Sequence, residues 1–460
     1  MHYPQFTCPP LGGGILIAIV AITHVVIAHY AVGAGIFLAV TQTLARRRGD
    51  ELLLRFLRDQ AKFLVLFSFV AGVVTGVGIW FCISLVSPQA TSALIHQFAW
   101  GWAAEWCFFL LEIIAGYVYY YGWDRLTGRQ HLAVAWIYAV SAYLSLVLIN
   151  GIISFMLTPG GWNQVIANPD YDGDLAFWTG LLNPSFWPSV LLRTISCLAL
   201  AGIFVAIIVN LSRSYRRGER RRIINHASWF LVPLGLMVPL AVWYFLTLPQ
   251  EARSLPLGDA IAMTLFLAFG LVSSVLIGGY AYFALVRNRR DITLETALLL
   301  LGVAVIATGS MEFVREGIRK PYVIYSHLYS NQIPATDEWR QRLESEGVLA
   351  HARFARPPTV SLEDLPDLPL HVQGRYVFNA ECRACHEIGG TNDIVPLIGE
   401  APRAWLDETL RHLHDIKYYM PPFLGTEQER RALVEYQYRL AHPQEFETPT
   451  AGGANVPDAD

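Results

Sequence analysis

Near the C-terminal end of the chain, Cys382-Arg-Ala-Cys385-His386 sets two thiols three positions apart with a histidine directly behind the second. Thiols at that spacing can each form a thioether to a porphyrin, and the adjacent imidazole then takes one axial position on the iron; CxxCH is the attachment signature of a c-type haem. A zinc site would need a second pair of ligands at compatible spacing, and none accompanies it. Downstream, Tyr418-Tyr419-Met420-Pro421-Pro422 offers a thioether sulfur for the opposite face of the iron, as in a His/Met cytochrome. Cys382, Cys385, His386 and Met420 are therefore the expected holders of a covalent haem c, with His386 and Met420 as the metal ligands. Such haems are installed outside the cytoplasm, so the preceding residues must deliver position 382 there.

A second group of reactive side chains lies inside long apolar runs, where each charge costs roughly 3 kcal/mol on insertion scales and is a functional candidate by default. His24 and His29 share the first run. Five residues apart, they sit about 140° round a helix and cannot share one iron face. One can ligate a haem while the other meets a different partner. Glu105 and Glu112 share the third run; seven residues apart, they fall on one helix face about 10 Å apart in depth. Two stacked carboxyls suit a haem contact with a proton relay, a plain carboxyl chain, or two hydrogen-bonded core acids. Glu312 and Glu316 share a face at the end of the last run, as do Arg315 and Arg319. These are either snorkelling salt bridges or, for the arginines, bidentate partners of haem propionates. His131 and His226 sit at the inner ends of their runs and read as interfacial hydrogen-bonding groups.

The elements that carry these residues follow from composition. The chain has 460 residues, 54 % of them hydrophobic and 15 % charged, which is too apolar for a water-soluble protein of this size. Eight runs reach the roughly 20 apolar residues a bilayer span needs: about 12–44, 60–86, 92–122, 131–158, 187–211, 223–247, 257–286 and 294–318. Loops after the first, third, fifth and seventh runs are rich in cations, among them Arg46, Arg47 and Arg48, Arg125 and Arg129, Arg216 and Arg217, and Arg289 and Arg290. The loops on the other side hold only Arg253. The positive-inside rule puts the N-terminus outside, and an even number of spans brings residue 320 back there. The haem motif lands where its chemistry requires.

The expected fold is all-α, a polytopic membrane bundle of about eight helices followed by a small all-α cytochrome c domain. The expected divisions are 1–320 for the transmembrane haem-binding part, 321–370 for an extracytoplasmic linker, 371–445 for the cytochrome c domain and 446–460 for a disordered tail. The linker holds six prolines, including Pro334, Pro357 and Pro366, with one helix at 336–346. As a flexible chain its 50 or so residues would reach tens of Å.

Read together, residues 10–322 resemble subunit I of the cytochrome bd quinol oxidases, and residues 371–443 resemble a minimal class I cytochrome c. Gly122-Trp123-Asp124-Arg125-Leu126, ten residues after Glu112, is similar to the family's Gly-Trp-Asp-Arg-Leu and the acid before it. Leu182-Asn183-Pro184 is similar to a Leu-Asn-Pro before the fifth span. The resemblance implies that His24 is the first-span haem ligand. It also implies that Glu316, five residues before Pro321, is the glutamate ligand of a high-spin haem b. Departures are equally informative. Glu105 sits one position off the family's other third-span glutamate. Arg193 stands near the expected low-spin haem ligand and cannot bind iron, which leaves Met263 as the sole candidate and implies that this haem is absent. The loop that oxidises quinol in the family is reduced to about residues 248–256, and the cytochrome c domain stands where the family has its final span.

The expectation is a membrane subunit of a bd-like terminal oxidase, N-terminus and haem c domain outside a bacterial inner membrane. It would take electrons through its own haem c and reduce dioxygen at a buried haem b or haem d site, with proton uptake. Glu105 and Glu112 are the expected catalytic carboxyls; His24, His29, Glu316 and Arg319 the expected contacts of the buried haem; His24 and Glu316 its expected metal ligands. Partners would be a second bd-type membrane subunit and a soluble or membrane cytochrome c or other outside donor; no nucleic acid is expected. Alternatives are nitric oxide reduction on the same scaffold and a non-catalytic electron-transfer subunit.

Overall fold

The structure is a computed structural model that describes residues 6, 8 and 10–446; from 447 onward the expected tail lies outside them. Eight helices are long and apolar enough to cross a membrane: α1 (Gly13–Arg48), α2 (Glu51–Val86), α3 (Ala99–Tyr121), α4 (Gly128–Phe155), α5 (Phe186–Leu211), α6 (Arg217–Thr247), α7 (Ile261–Arg287) and α8 (Leu294–Gly317). All eight apolar runs are thus helices. The only strands among the described residues are Tyr322–Ile324 and Leu328–Tyr329.

The described residues divide into two compact units, one comprising 17–84 and 90–325 and the other those up to 16 together with 85–89 and 326–446. In the first, α5 is the central helix. Residues Ala199 to Val209 are buried on every face, as expected of a helix that is apolar all round. Small residues let α1 approach it closely: any Cβ at Gly33 would collide with the Cys197 carbonyl of α5. Tyr30 fills the space beside this contact, its ring 4.2 Å from that of Phe204 and 5.8 Å from that of Phe63. Helix α2 contains a π-helical turn at Val65–Phe69, which rotates the register of everything after it.

Of the two histidines expected at the interface, one differs from that setting and the other, half-buried and hydrogen-bonded, agrees with it. His131 is almost fully buried in α4. Gln42 Nε2 donates to its Nδ1 at 2.9 Å, and its Nε2 donates to the Tyr119 carbonyl at 2.9 Å. Tyr119 in turn donates to Gln42 Oε1. A neutral imidazole with both nitrogens satisfied ties α1, α3 and α4 together. His226 Nε2 pairs with Thr41 Oγ1 at 2.9 Å.

In the second unit, α11 (Leu370–Glu381) leads into the CxxCH sequence and packs on α12 (Glu427–Ala441). Thr426 and Glu429 form a reciprocal capping box at the start of α12. Glu429 does more than cap its own helix: its carboxylate accepts from Val348 N and Leu349 N, both at 2.9 Å. Those N–H groups open the short helix α10 (Val348–His351), which follows α9 (Asp337–Glu346). Asn379 in α11 donates to the Ala355 carbonyl at 3.1 Å. Residues 326–370, read from sequence as a flexible linker, therefore belong to the same compact unit as the haem-attachment sequence.

Candidate functional site

The haem-attachment sequence sits at the C-terminus of α11, with Cys382 as the residue that caps it. Asn392, in the left-handed region with φ 56°, donates from Nδ2 to the Cys385 carbonyl at 2.9 Å. Its own carbonyl lies 3.0 Å from His386 Nδ1. A carbonyl can only accept, so Nδ1 carries the proton and Nε2 keeps its lone pair. Burial pushes the His386 imidazole below its usual value, which holds it neutral. Both effects fit an iron ligand. Met420 is half-buried in a turn closed by its N–H to the Lys417 carbonyl at 2.7 Å, and its own carbonyl accepts from His414 Nδ1 at 2.9 Å. Ile394, Ile398, Leu406, Leu410, Leu424 and Leu433 supply buried apolar surface in this unit.

Directly before Cys382, Glu381 accepts from Asn331 Nδ2 at 3.2 Å and from Leu424 N at 3.3 Å. Burial pushes its carboxyl well above the ordinary carboxylate range, against the lowering effect of the Leu424 N–H. A carboxyl raised in the folded state binds more protons folded than unfolded, so stability falls as pH rises above its unfolded value of 4.5. Thermal unfolding of the full-length protein, followed by circular dichroism between pH 4.5 and 8, should show this decline. It should be flatter in Glu381→Gln; equal slopes would count against the assignment.

In the transmembrane unit, Glu112 is 8 % exposed. The Tyr138 hydroxyl, which donates to the Ala31 carbonyl at 3.0 Å, lies against its carboxyl. Glu105 accepts from Ser145 Oγ at 2.8 Å. Each acid thus has a hydroxyl of α4 beside it.

The C-terminal end of α8 is tied into a partly buried ionic network. Arg193 of α5 donates from Nε to Asn150 Oδ1 at 3.1 Å, from Nη2 to Glu312 Oε1 at 3.4 Å and from Nη1 to His29 Nε2 at 3.5 Å. Ser189 also donates to Asn150 Oδ1, at 2.6 Å. Arg315 pairs with Glu312 at 2.8 Å. Glu316 pairs with Arg319 and, at 3.3 Å, with Lys320, so these pairs must open for it to reach an iron. Arg319 is only 5 % exposed and donates to Met156 Sδ at 3.4 Å. It is held inside the protein and does not snorkel.

This network is incomplete. Since arginine only donates, His29 Nε2 accepts and Nδ1 carries a proton. That Nδ1, Arg315 Nη1 and Arg319 Nε are buried with no hydrogen-bond partner. The cations Arg193, Arg315, Arg319 and Lys320 also outnumber the carboxylates Glu312 and Glu316. Three unmatched donors and an excess of positive charge call for an anionic acceptor, which the propionates of a haem would supply. His29 has no lone pair free for iron, and its Nδ1 proton is free to be donated. His24 differs: its Nδ1 lies 3.0 Å from Thr75 Oγ1.

Sequence reasoning missed Asn150, Thr75, Ser145 and Tyr138 as partners. Their one signal is a polar side chain inside an apolar run.

Comparison with known proteins assigns the two parts of the chain to families and a fold. Residues 15–245 match the family described as cytochrome bd terminal oxidase subunit I, and residues 370–436 match cytochrome c oxidase, cbb3-type, subunit III. Among solved structures, the bd oxidase from Geobacillus thermodenitrificans superposes with a TM-score of 0.56 at 17 % identity, over 68 % of this chain and 87 % of that one. At that identity the likeness is one of fold.

Proposed function

Because this chain belongs to the cytochrome bd terminal oxidase subunit I family, we propose that it is the oxidase subunit that reduces dioxygen with electrons received outside the membrane through a covalently attached haem c. One observation carries the reading: a bd-type helix bundle and a CxxCH domain share a single polypeptide. Cys382, Cys385, His386 and Met420 would hold haem c. His24 and Glu316 would ligate a buried haem b or haem d, with His29, Arg315 and Arg319 on its propionates. Bound haems supply electron transfer and the redox chemistry of oxygen.

The chain's own part is to hold, to exclude water and to move protons. The apolar bundle keeps bulk water away from the site, so protons travel on fixed groups. Ser145 donates to Glu105 and can pass a proton to its carboxyl; the Tyr138 hydroxyl, whose proton goes to the Ala31 carbonyl, offers Glu112 a lone pair that can take a proton from it. The N-terminus and the haem c domain would lie on the extracytoplasmic side of a bacterial inner membrane, a reading supported by the uneven distribution of basic residues between the loops. The donor there would be a soluble or membrane cytochrome c, and a second bd-type membrane subunit would complete the assembly.

The test is spectroscopic and kinetic. Dithionite-reduced protein exposed to carbon monoxide should shift the absorption of a non-covalent haem, and reduced cytochrome c should drive oxygen uptake. Six-coordinate haems with no shift would transfer the chain to the electron-carrying class. Consumption of nitric oxide in place of dioxygen would make it a nitric oxide reductase.

A further inference from the structure

Thr75 lies on α2, beyond its π-helical turn. Its hydroxyl oxygen is 2.7 Å from the Ala71 carbonyl and 3.2 Å from the Gly72 carbonyl. Both belong to its own helix and can only accept, so the single hydroxyl proton is directed at them. Towards any third group Thr75 Oγ1 can offer only a lone pair. The third group is His24 Nδ1, at 3.0 Å. The proton of the neutral imidazole must therefore reside on Nδ1, and the lone pair on Nε2.

The neighbouring residue shapes the seat. A Cβ at Gly76 would stand 3.1 Å from His24 Cε1, tighter than ordinary van der Waals contact, with Nδ1 at 3.7 Å and Nε2 at 3.9 Å, both ordinary contacts. One turn of α2 thus sets both the position of the ring and its tautomer. The other histidines of the spanning helices are held differently. His29 and His226 use Nε2 in their hydrogen bonds, and His131 uses both nitrogens.

We infer that Thr75 is the positioning residue of the buried haem ligand, holding His24 in the Nδ1–H tautomer so that Nε2 faces the iron. This rests on the reading of His24 as a haem ligand. Partners of this kind fix ring orientation, and losing one costs about 10- to 100-fold in metal affinity.

The experiment compares Thr75→Val, which keeps the shape and removes the acceptor, with Thr75→Ser, which restores it, in the full-length protein; covalent haem c serves as the folding control. Thr75→Val should retain non-covalent haem about 10- to 100-fold less tightly on detergent washing and should lower the iron–histidine stretching frequency of the reduced protein in resonance Raman. Thr75→Ser should restore both. If Thr75→Val does not accumulate, the same vibration is read in Thr75→Ala. Full haem retention with an unshifted vibration in the variant lacking the hydroxyl overturns the inference and leaves His24 as a ligand. Full haem content in His24→Ala removes the ligand reading itself, a separate result.

Discussion

Replacing Cys382 and Cys385 together by alanine is expected to abolish covalent haem and to reduce oxygen uptake driven by a one-electron donor to the level of membranes lacking the protein. Non-covalent haem should remain at its normal content. The asymmetry follows from the division of the chain: residues 17–84 and 90–325 form a compact unit with its own core, and its polar network draws on α1, α4, α5 and α8 alone. Haem-stained denaturing gels, haemochrome spectra and an oxygen electrode check the three parts. Undiminished uptake from quinol in the double variant would mean that electrons bypass the tethered porphyrin.

The second large effect is expected at Glu312. Its carboxylate lies between Arg315 at 2.8 Å and Arg193 at 3.4 Å, and all three side chains are at least three-quarters buried. Glu312→Ala leaves two buried guanidinium groups with no carboxylate between them, a change that costs about 3–5 kcal/mol where one partner of a buried pair is removed. The variant should unfold in detergent at a clearly lower temperature and lose non-covalent haem. Adding Arg193→Met should return part of the loss, because the partners are in direct contact and their effects are not additive. Additive losses in the double variant would show that the pair does not act as a unit.

The helices and the haem-attachment sequence were legible because their signals are local. Twenty apolar residues make a span regardless of what surrounds them, and CxxCH carries its chemistry within five positions. The partners were not legible, because they depend on how each helix is rotated about its axis. Asn150 and Thr75 are single polar residues in apolar runs, and nothing in their neighbours says that one meets Arg193 and the other His24. His131 was read as interfacial from its place at the end of a run, but Gln42 and Tyr119, from two other helices, enclose it. Arg193 was legible as a residue that cannot bind iron; its three hydrogen bonds were not. The helix at 337–346 was legible, but its docking and the order of residues 348–355 were not: proline and polar composition reads as linker, while the groups that fix it lie far along the chain.

That separation bears on how the protein is made. Glu429, which holds the start of α10, is 81 residues downstream of Val348. During synthesis α9 and α10 emerge first, then the two thiols, and the anchoring carboxylate last. The segment ahead of the cysteines therefore cannot dock through Glu429 until translation has passed both thiols and the last helix has formed.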